Sequence, residues 1–375
     1  MTAGSRRQNA LVLSGGFALG AYQAGAYAAM QEHGQFLPDH IAAASVGSVN
    51  AALIAGNAPE HRVERLRAFW TKVSGDISSF WWFGYPADMA WRQGLSLASA
   101  MQSHLWGRPG LFQRRLLPEA NGRPGLHDLA PLSACLTEMV DFDRLNRGFL
   151  RLSLTATDVA SGERVVFDTA DRTEIGPQHV LASSAMVPIF APIEIDGRLL
   201  GDGGLSSNTP IDLVLDNQDQ DDLLCFVVDL FSRQGQVPRT LAAGLSRTID
   251  LIFGNQSHNL LEAQVRERKL RAAIALLIQQ LPPEMLGNAE LAPLLAEGSA
   301  ARALILSLGY RAGPQEIGPG KLLDYSSAAL KERWQAGAMH MGAALKLAEN
   351  PPSDAGRPGL LAVHVAVPTD AGSCQ

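Results

Sequence analysis

The chain has 375 residues, 46% of them hydrophobic and 18% charged, which suits a globular protein with a sizeable core. That length accommodates one large α/β domain, with or without an appendage. A formal charge of −6 argues against nucleic acid as the main partner, because phosphate binding needs a basic surface. Three dispersed cysteines, Cys135, Cys225 and Cys374, give no disulfide framework and no metal-ligand spacing.

Arg6-Arg7 and the apolar residues that follow loosely resemble a secretory signal, but Gly15, Gly16 and Gly20 interrupt the run. No cleaved signal and a cytoplasmic location are therefore expected. Ala10–Leu13 reads as a buried strand closed by Ser14-Gly15-Gly16, and Ala18–Glu32 as a helix ending at Gly34. A second strand, Ile41–Ala44, runs into a helix over Val46–Ala55 that stops at Gly56-Asn57, with Pro59 beyond. Strand and helix alternating in this way predict a three-layer α/β/α fold around a mainly parallel sheet. Further strands are expected at Leu150–Thr155, Arg164–Phe167, Ile193–Ile195 and Leu223–Val228.

Two regions break the rhythm. Residues 80–113 carry Trp81, Trp82, Trp91 and Trp106 among glycines and prolines. They read as a helical insertion packing its aromatics inward, or as a cap that contacts lipid at a membrane surface. Arg239–Leu281 is helix-rich, and its charge run Val265–Arg271 suits a solvated helix face or, as the lesser alternative, attraction to anionic lipid headgroups. The expected organisation is a main unit over 10–215, a continuation of the sheet with helices over 216–348, and a linker and tail over 349–375. No apolar run approaches the ~18 residues needed to span a bilayer.

Three motifs carry chemistry. S-G-G-F-A-L-G, Ser14 to Gly20, follows a strand and opens a helix, so its backbone N–H groups face open space at a positive dipole end. That arrangement suits a phosphate or an oxyanion; Phe17 at the third position and the lack of a later acidic residue disfavour a dinucleotide fingerprint. A-A-S-V-G, Ala43 to Gly47, puts Ser45 where a strand turns into a helix, either as an N-cap or as a nucleophile on a tight elbow. G-D-G-G, Gly201 to Gly204, holds Asp202 in a narrow loop, as a turn aspartate or as a base.

These motifs in this order resemble the patatin-like phospholipase family over about residues 10 to 215, supported by T-A-T-D-V-A-S-G (Thr155 to Gly162) and A-S-S-A-M-V-P-I-F-A-P (Ala182 to Pro192). The resemblance implies a lipid acyl hydrolase with Ser45 as nucleophile and Asp202 as general base, needing neither cofactor nor metal. It implies an oxyanion hole from the N–H groups of Gly15, Gly16 and Phe17, with Gly20, Ala43, Gly47, Gly203 and Gly204 supporting the turns. It also implies an acyl-lipid substrate, with peripheral membrane contact. Ala43 stands where the family usually has glycine, and Phe17 where a third consecutive glycine is usual. If the oxyanion loop needs φ > 0 at that position, a phenylalanine resists it. Asn50 is expected to be an ordinary polar helix residue, or alternatively a brace for the elbow, and Asn208 to cap or tie down the loop after Asp202. Two rival readings are an α/β-hydrolase triad, using His258, His340 or His364 as base, and a non-catalytic lipid-binding protein of the same fold.

Overall fold

Successive residues of the first strand, β1 (Gln8–Leu13), serve two different cores. Leu11 and Leu13 point into one and Ala10 and Val12 into the other, as the two-residue period of a strand requires. Both faces are buried because helices cover both, giving the three-layer α/β/α arrangement expected from the sequence. The structure is a computed structural model that describes residues 7–74, 89–119, 122–216, 222–235, 237–312 and 319–365.

The other strands are β2 (His40–Ala44), β3 (Gly107–Arg108), β4 (Phe112–Arg114), β5 (His127–Asp128), β6 (Arg151–Asp158), β7 (Arg164–Asp168), β8 (Ile193–Ile195), β9 (Arg198–Asp202), β10 (Leu223–Asp229), β11 (Arg302–Gly309) and β12 (Gly359–His364). The helices up to the middle of the chain are α1 (Gly20–His33), α2 (Val46–Ala55), α3 (Arg62–Val73), α4 (Met89–Trp106), α5 (Ala130–Met139), α6 (Phe142–Asn146) and α7 (Pro177–Ser184). Then come α8 (Gly204–Ser207), α9 (Asp212–Leu215), α10 (Leu241–Ile278), α11 (Pro283–Leu286), α12 (Ala292–Ala296) and α13 (Ser327–Glu349). Among the described residues, no helix is long and apolar enough to cross a membrane.

Among the described residues the main sheet has nine strands in the order β12-β11-β10-β1-β2-β6-β9-β8, with β7 pairing to β6. From β12 to β6 every pairing is parallel; β7, β8 and β9 join antiparallel. The register at β6 positions the site. Ala44, the last residue of β2, pairs with Thr155, and Asp202, the last of β9, pairs with the next residue, Ala156. Since β7 occupies the other edge of β6 over Ser153–Thr157, β2 and β9 share one edge and meet end to end there.

Most expected elements are present with small shifts of boundary. The first helix begins only at Gly20, after a 3₁₀ turn over Phe17–Leu19, and β6 runs three residues beyond Thr155 to Asp158. Two departures are larger. Gly359–His364, inside the stretch expected to be linker and tail, forms the edge strand β12, whose Leu360 is buried beside β11. The charge run Val265–Arg271 is not wholly solvated either: Arg268 is buried and donates to the carbonyl of Leu215. Trp81 and Trp82 lie outside the described residues. Trp106 is 77% exposed, so this tryptophan does not pack inward.

Helices α1 and α13 cross at backbone contact. A methyl group on Gly25 would lie 2.0 Å from the carbonyl oxygen of Trp334, and one on Gly337 1.9 Å from that of Tyr22. No backbone atom moves aside as a flexible side-chain tip does, so the crossing depends on glycine at both places. Gly337→Ala should lower stability by about 1–3 kcal/mol, the usual cost of overpacking a core. Gly342→Ala on the same helix, where a methyl group meets nothing within 4 Å, should be neutral or stabilising by up to about 1 kcal/mol. Thermal melting of the two variants side by side tests the contrast.

Candidate active site

Ser45 occupies the N-cap position of α2, but its side chain makes no capping hydrogen bond. Its backbone, at φ 55 and ψ −128, is not the extended conformation of an ordinary N-cap either. The elbow reading therefore describes this residue. Among the described residues four non-glycines have positive φ, and two of them, Ser45 and Phe17 (φ 52), belong to the site. Such conformations cost about 1–3 kcal/mol each and persist only where the surroundings impose them.

Those surroundings are polar and close. Ser183 Oγ accepts the Ser45 N–H at 3.1 Å and bonds Ser48 Oγ at 2.7 Å, while Ser184 Oγ donates to the Ser45 carbonyl at 3.2 Å. The same stretch holds the other loop: Asp202 N–H donates to Ala185 O at 2.9 Å, and Gly203 N–H to Ser183 O at 3.1 Å. The C-terminus of α7 thus clamps serine and aspartate against each other. Gly47 is needed because a methyl group there would lie 2.3 Å from Leu13 O, and Gly203 because one would lie 2.2 Å from Thr155 O. Gly20 faces Val46 and the Trp70 ring in the same way, whereas Ala43 sits fully buried within β2.

Asp202 is completely buried. Its Oδ1 accepts the Gly204 N–H at 2.7 Å, and its backbone carbonyl accepts Thr157 Oγ1 at 2.8 Å. Oδ2 is buried and makes no full hydrogen bond. Burial pushes the carboxyl up to about 7, opposed more weakly by the nearby Ser45 hydroxyl and the Gly204 N–H. Contacts between catalytic groups commonly tighten only when substrate arrives, so a loose serine–carboxylate contact at rest suits a base.

The glycine loop differs from expectation in one respect. Gly15 N–H already donates to Asn208 O at 3.2 Å, so it does not face the reaction space. Gly15 serves instead by lacking a side chain: a methyl group there would lie 2.8 Å from Ser45 Cβ. Among the described residues the N–H groups of Gly16 and Phe17 have no partner, as at any helix start. Phe17 does take positive φ, and its ring packs against Phe190, 6.2 Å between centroids. Phe190 in turn packs against Phe112 of the small antiparallel sheet β3-β4-β5, tying the insertion to the loop.

Two supporting residues, Gln23 and Gln256, escaped the sequence reading, whereas Asn50 is the elbow brace that the sequence offered as an alternative. Gln23 Nε2 donates to Ser14 O at 2.7 Å, and Asn50 Nδ2 to Gly20 O at 2.9 Å and Gln23 Oε1 at 3.1 Å. Trp70 Nε1 completes the network by donating to Asn50 Oδ1 at 3.0 Å. Asn50 therefore joins α2 to the glycine loop. From α10, Gln256 Oε1 accepts the Asn208 N–H at 2.7 Å and supports the Asp202 loop from behind. Ser183 and Ser184 were visible within the A-S-S-A run, but nothing in the sequence marks Gln23 or Gln256.

Among the described residues no group of histidines, cysteines or carboxylates is arranged to hold a metal ion. No curated protein matches the chain significantly. Among solved structures, the chain is similar to VipD from Legionella pneumophila, at 15% identity and TM-score 0.41, over 92% of this chain and 69% of that one. It is similar to human GIVD cytosolic phospholipase A2, at 13% identity and TM-score 0.42, over 90% and 59%. With ExoU of Pseudomonas aeruginosa, solved in complex with SpcU, it shares 18% identity at TM-score 0.29, over 69% and 52%. The chain thus spans between 52% and 69% of the lengths of these proteins. The patatin-like phospholipase family profile matches residues 11–215, and a second profile, described as patatin phospholipase, matches 251–354. With more than half of its length covered by the first, and all three motifs inside that span, the chain belongs to the patatin-like phospholipase family.

Proposed function

We propose that the chain is a serine acyl hydrolase that cleaves carboxylic ester bonds of lipids through Ser45 and Asp202. The observation that carries this reading is that Ala44, which leads into the strained elbow serine, and the fully buried Asp202 pair with consecutive residues of β6. Ser45 Oγ attacks the ester carbonyl while Asp202 takes its proton. The N–H groups of Gly16 and Phe17, with the N-terminus of α2, face the negative charge that develops on the carbonyl oxygen. The protonated Asp202 then gives its proton to the leaving alcohol, and the same carboxylate activates the water that releases the acyl group. A carboxyl near 7 is well matched to this role, since a base works best with a pKa near the operating pH.

The late histidines are engaged elsewhere. His258 pairs with Glu262 at 3.0 Å, and His340 bonds the Tyr22 hydroxyl at 2.7 Å. His364 ends β12, four strands from β2. Asp202→Asn should reduce kcat by several orders of magnitude, as should Ser45→Ala, while alanine at His258, His340 or His364 leaves most activity. Near-native turnover of folded Asp202→Asn, or silence of one histidine variant, sinks the dyad. Lack of labelling of Ser45 by a fluorophosphonate favours a non-catalytic lipid-binding protein.

The same carboxyl sets a pH dependence of stability. A pKa raised from 3.8 to about 7 means that the folded protein binds a proton the unfolded chain has lost. Stability therefore falls as pH rises from about 4 to about 7, whereas activity rises through about 7 as the base is uncovered. Asp202→Asn removes the buried charge. It should melt above wild type at pH 8, by on the order of 4 kcal/mol, with the gap closing towards pH 4. Equal melting temperatures across that range count against the buried-base reading.

Contact with a lipid surface is proposed for α4, whose Leu97, Met101 and Leu105 are 61%, 54% and 43% exposed beside Trp106. Spaced four apart, they form one stripe of the helix. Leu97→Ser combined with Trp106→Ser should lower turnover of vesicle-borne phospholipid about tenfold, since each large apolar side chain contributes up to about 2–3 kcal/mol when buried. Turnover of a short soluble ester should be unchanged; an equal loss on both substrates argues against surface contact.

A further inference from the structure

Asn208 is 2% exposed and follows Asp202 on the same loop. Its backbone is committed on both sides, to Gln256 through its N–H and to Gly15 through its carbonyl. Its side chain stands between two glycines. A methyl group on Gly15 would lie 2.5 Å from Asn208 Oδ1 and 2.8 Å from Ser45 Cβ. One on Gly204 would lie 2.7 Å from the same Oδ1 and 2.9 Å from Asp202 Oδ1. The carboxamide therefore has the serine on one side and the carboxylate on the other. Its Nδ2 is buried without a hydrogen-bond partner, and so is Asp202 Oδ2.

An unmet buried donor and an unmet buried acceptor are both costly, and here they belong to two side chains that flank the same glycine, Gly204. The two ends of a carboxamide are nearly isosteric, so turning it about Cβ–Cγ exchanges oxygen for N–H with little change of packing. We propose that Asn208 is a positioning residue for the reaction: its side-chain amide donates to the charged Asp202 carboxylate and holds it towards Ser45. The proposal rests on the Ser45–Asp202 reading. A hydrogen bond to the charged form works against the burial that raises this carboxyl, and so keeps the base available near neutral pH.

Several charged groups on the elements packed around Asp202 are engaged with other partners. Asp158 of β6 pairs with Arg198 of β9 at 2.7 Å, and Arg164 of β7 with Asp212 of α9 at 2.5 Å. His179 of α7 accepts the Gly176 N–H at 2.8 Å, and His258 of α10 pairs with Glu262. Ser207 Oγ on α8 is also buried without a partner, and Asn208 differs from it in that its carboxamide adjoins both Gly15 and Gly204.

The test is the pH dependence of fluorophosphonate labelling of Ser45 in wild type and in Asn208→Leu, with folding checked by thermal melting. Loss of the donor should move the midpoint of the rise upward by about one pH unit, while the limiting rate at high pH stays within severalfold. An unmoved midpoint in folded Asn208→Leu overturns the proposal and leaves Asn208 a packing residue. Should that variant fail to fold, wild type carrying isotope-labelled asparagine provides the second measurement. One side-chain amide pair should titrate by NMR with the midpoint of the labelling rate, and Asp202→Asn should abolish that titration; absence of any such amide overturns the proposal equally. A wild type unlabelled at every pH overturns the dyad and the proposal together, whereas a labelled wild type with an unmoved Asn208→Leu midpoint overturns the proposal alone.

Discussion

The edge of β6 is shared by two strands that arrive from opposite directions, and the rest of the site depends on that sharing. β2 runs parallel to β6 and leaves it at Ala44; β9 runs antiparallel and ends at Asp202, opposite the next residue. For β9 to end against the residue next to the one where β2 stops, the chain after Ala44 must leave the sheet at once. The strained backbone of Ser45 makes that departure. The strain at the serine and the position of the aspartate are therefore two sides of one packing problem. The serines at the end of α7 hold both partners to the solution.

Burial then turns position into chemistry. An exposed aspartate is too acidic to take a serine proton near neutral pH. With Asp202 wholly buried, the Gly204 N–H and the neighbouring hydroxyl favour its charged form too weakly to offset burial, and the carboxyl rises to about 7. No cation lies among the causes of the shift; one would have pulled the group back towards ordinary acidity. Meanwhile the ion pairs of the surrounding elements, Asp158 with Arg198 and Arg164 with Asp212, are closed on themselves.

How much of this was legible in the sequence follows from how local each feature is. The elbow, the glycine loop and the Asp202 loop are short runs in which small residues are required by close backbone contact, and such runs read directly. Ala43 and Phe17, both departures from the family pattern, proved compatible with the fold: Ala43 fits the interior of β2, and Phe17 adopts the positive φ that was expected to resist it. Gln23 and Gln256 act through contacts between segments far apart in the chain, and polar residues on helices give no sign of their partners. β12 was read as linker because its glycine, proline and exposed flanks mask a short strand whose hydrophobicity is satisfied only beside β11. That Gly15 donates to Asn208 rather than to substrate is a matter of backbone direction, which side-chain identity does not encode.

The place of β1 in the sheet bears on how the chain can be divided. All three motifs and the whole of the first family match end by residue 215, so that region has the look of a transplantable catalytic module. Yet β1, which carries the glycine loop, lies in the interior of the sheet with β10 on one side and β2 on the other. A polypeptide cut after residue 215 leaves the backbone groups of Gln8–Leu13 without their partner strand and uncovers Ala10, Val12 and Ala42, which Leu261 of α10 helps to bury. An apolar unpaired edge of this kind recruits other strands, so such a fragment is destined for inclusion bodies rather than for assays. Residues 223–364 complete the fold instead of decorating it, and expression boundaries, domain swaps and fusions are best drawn outside them.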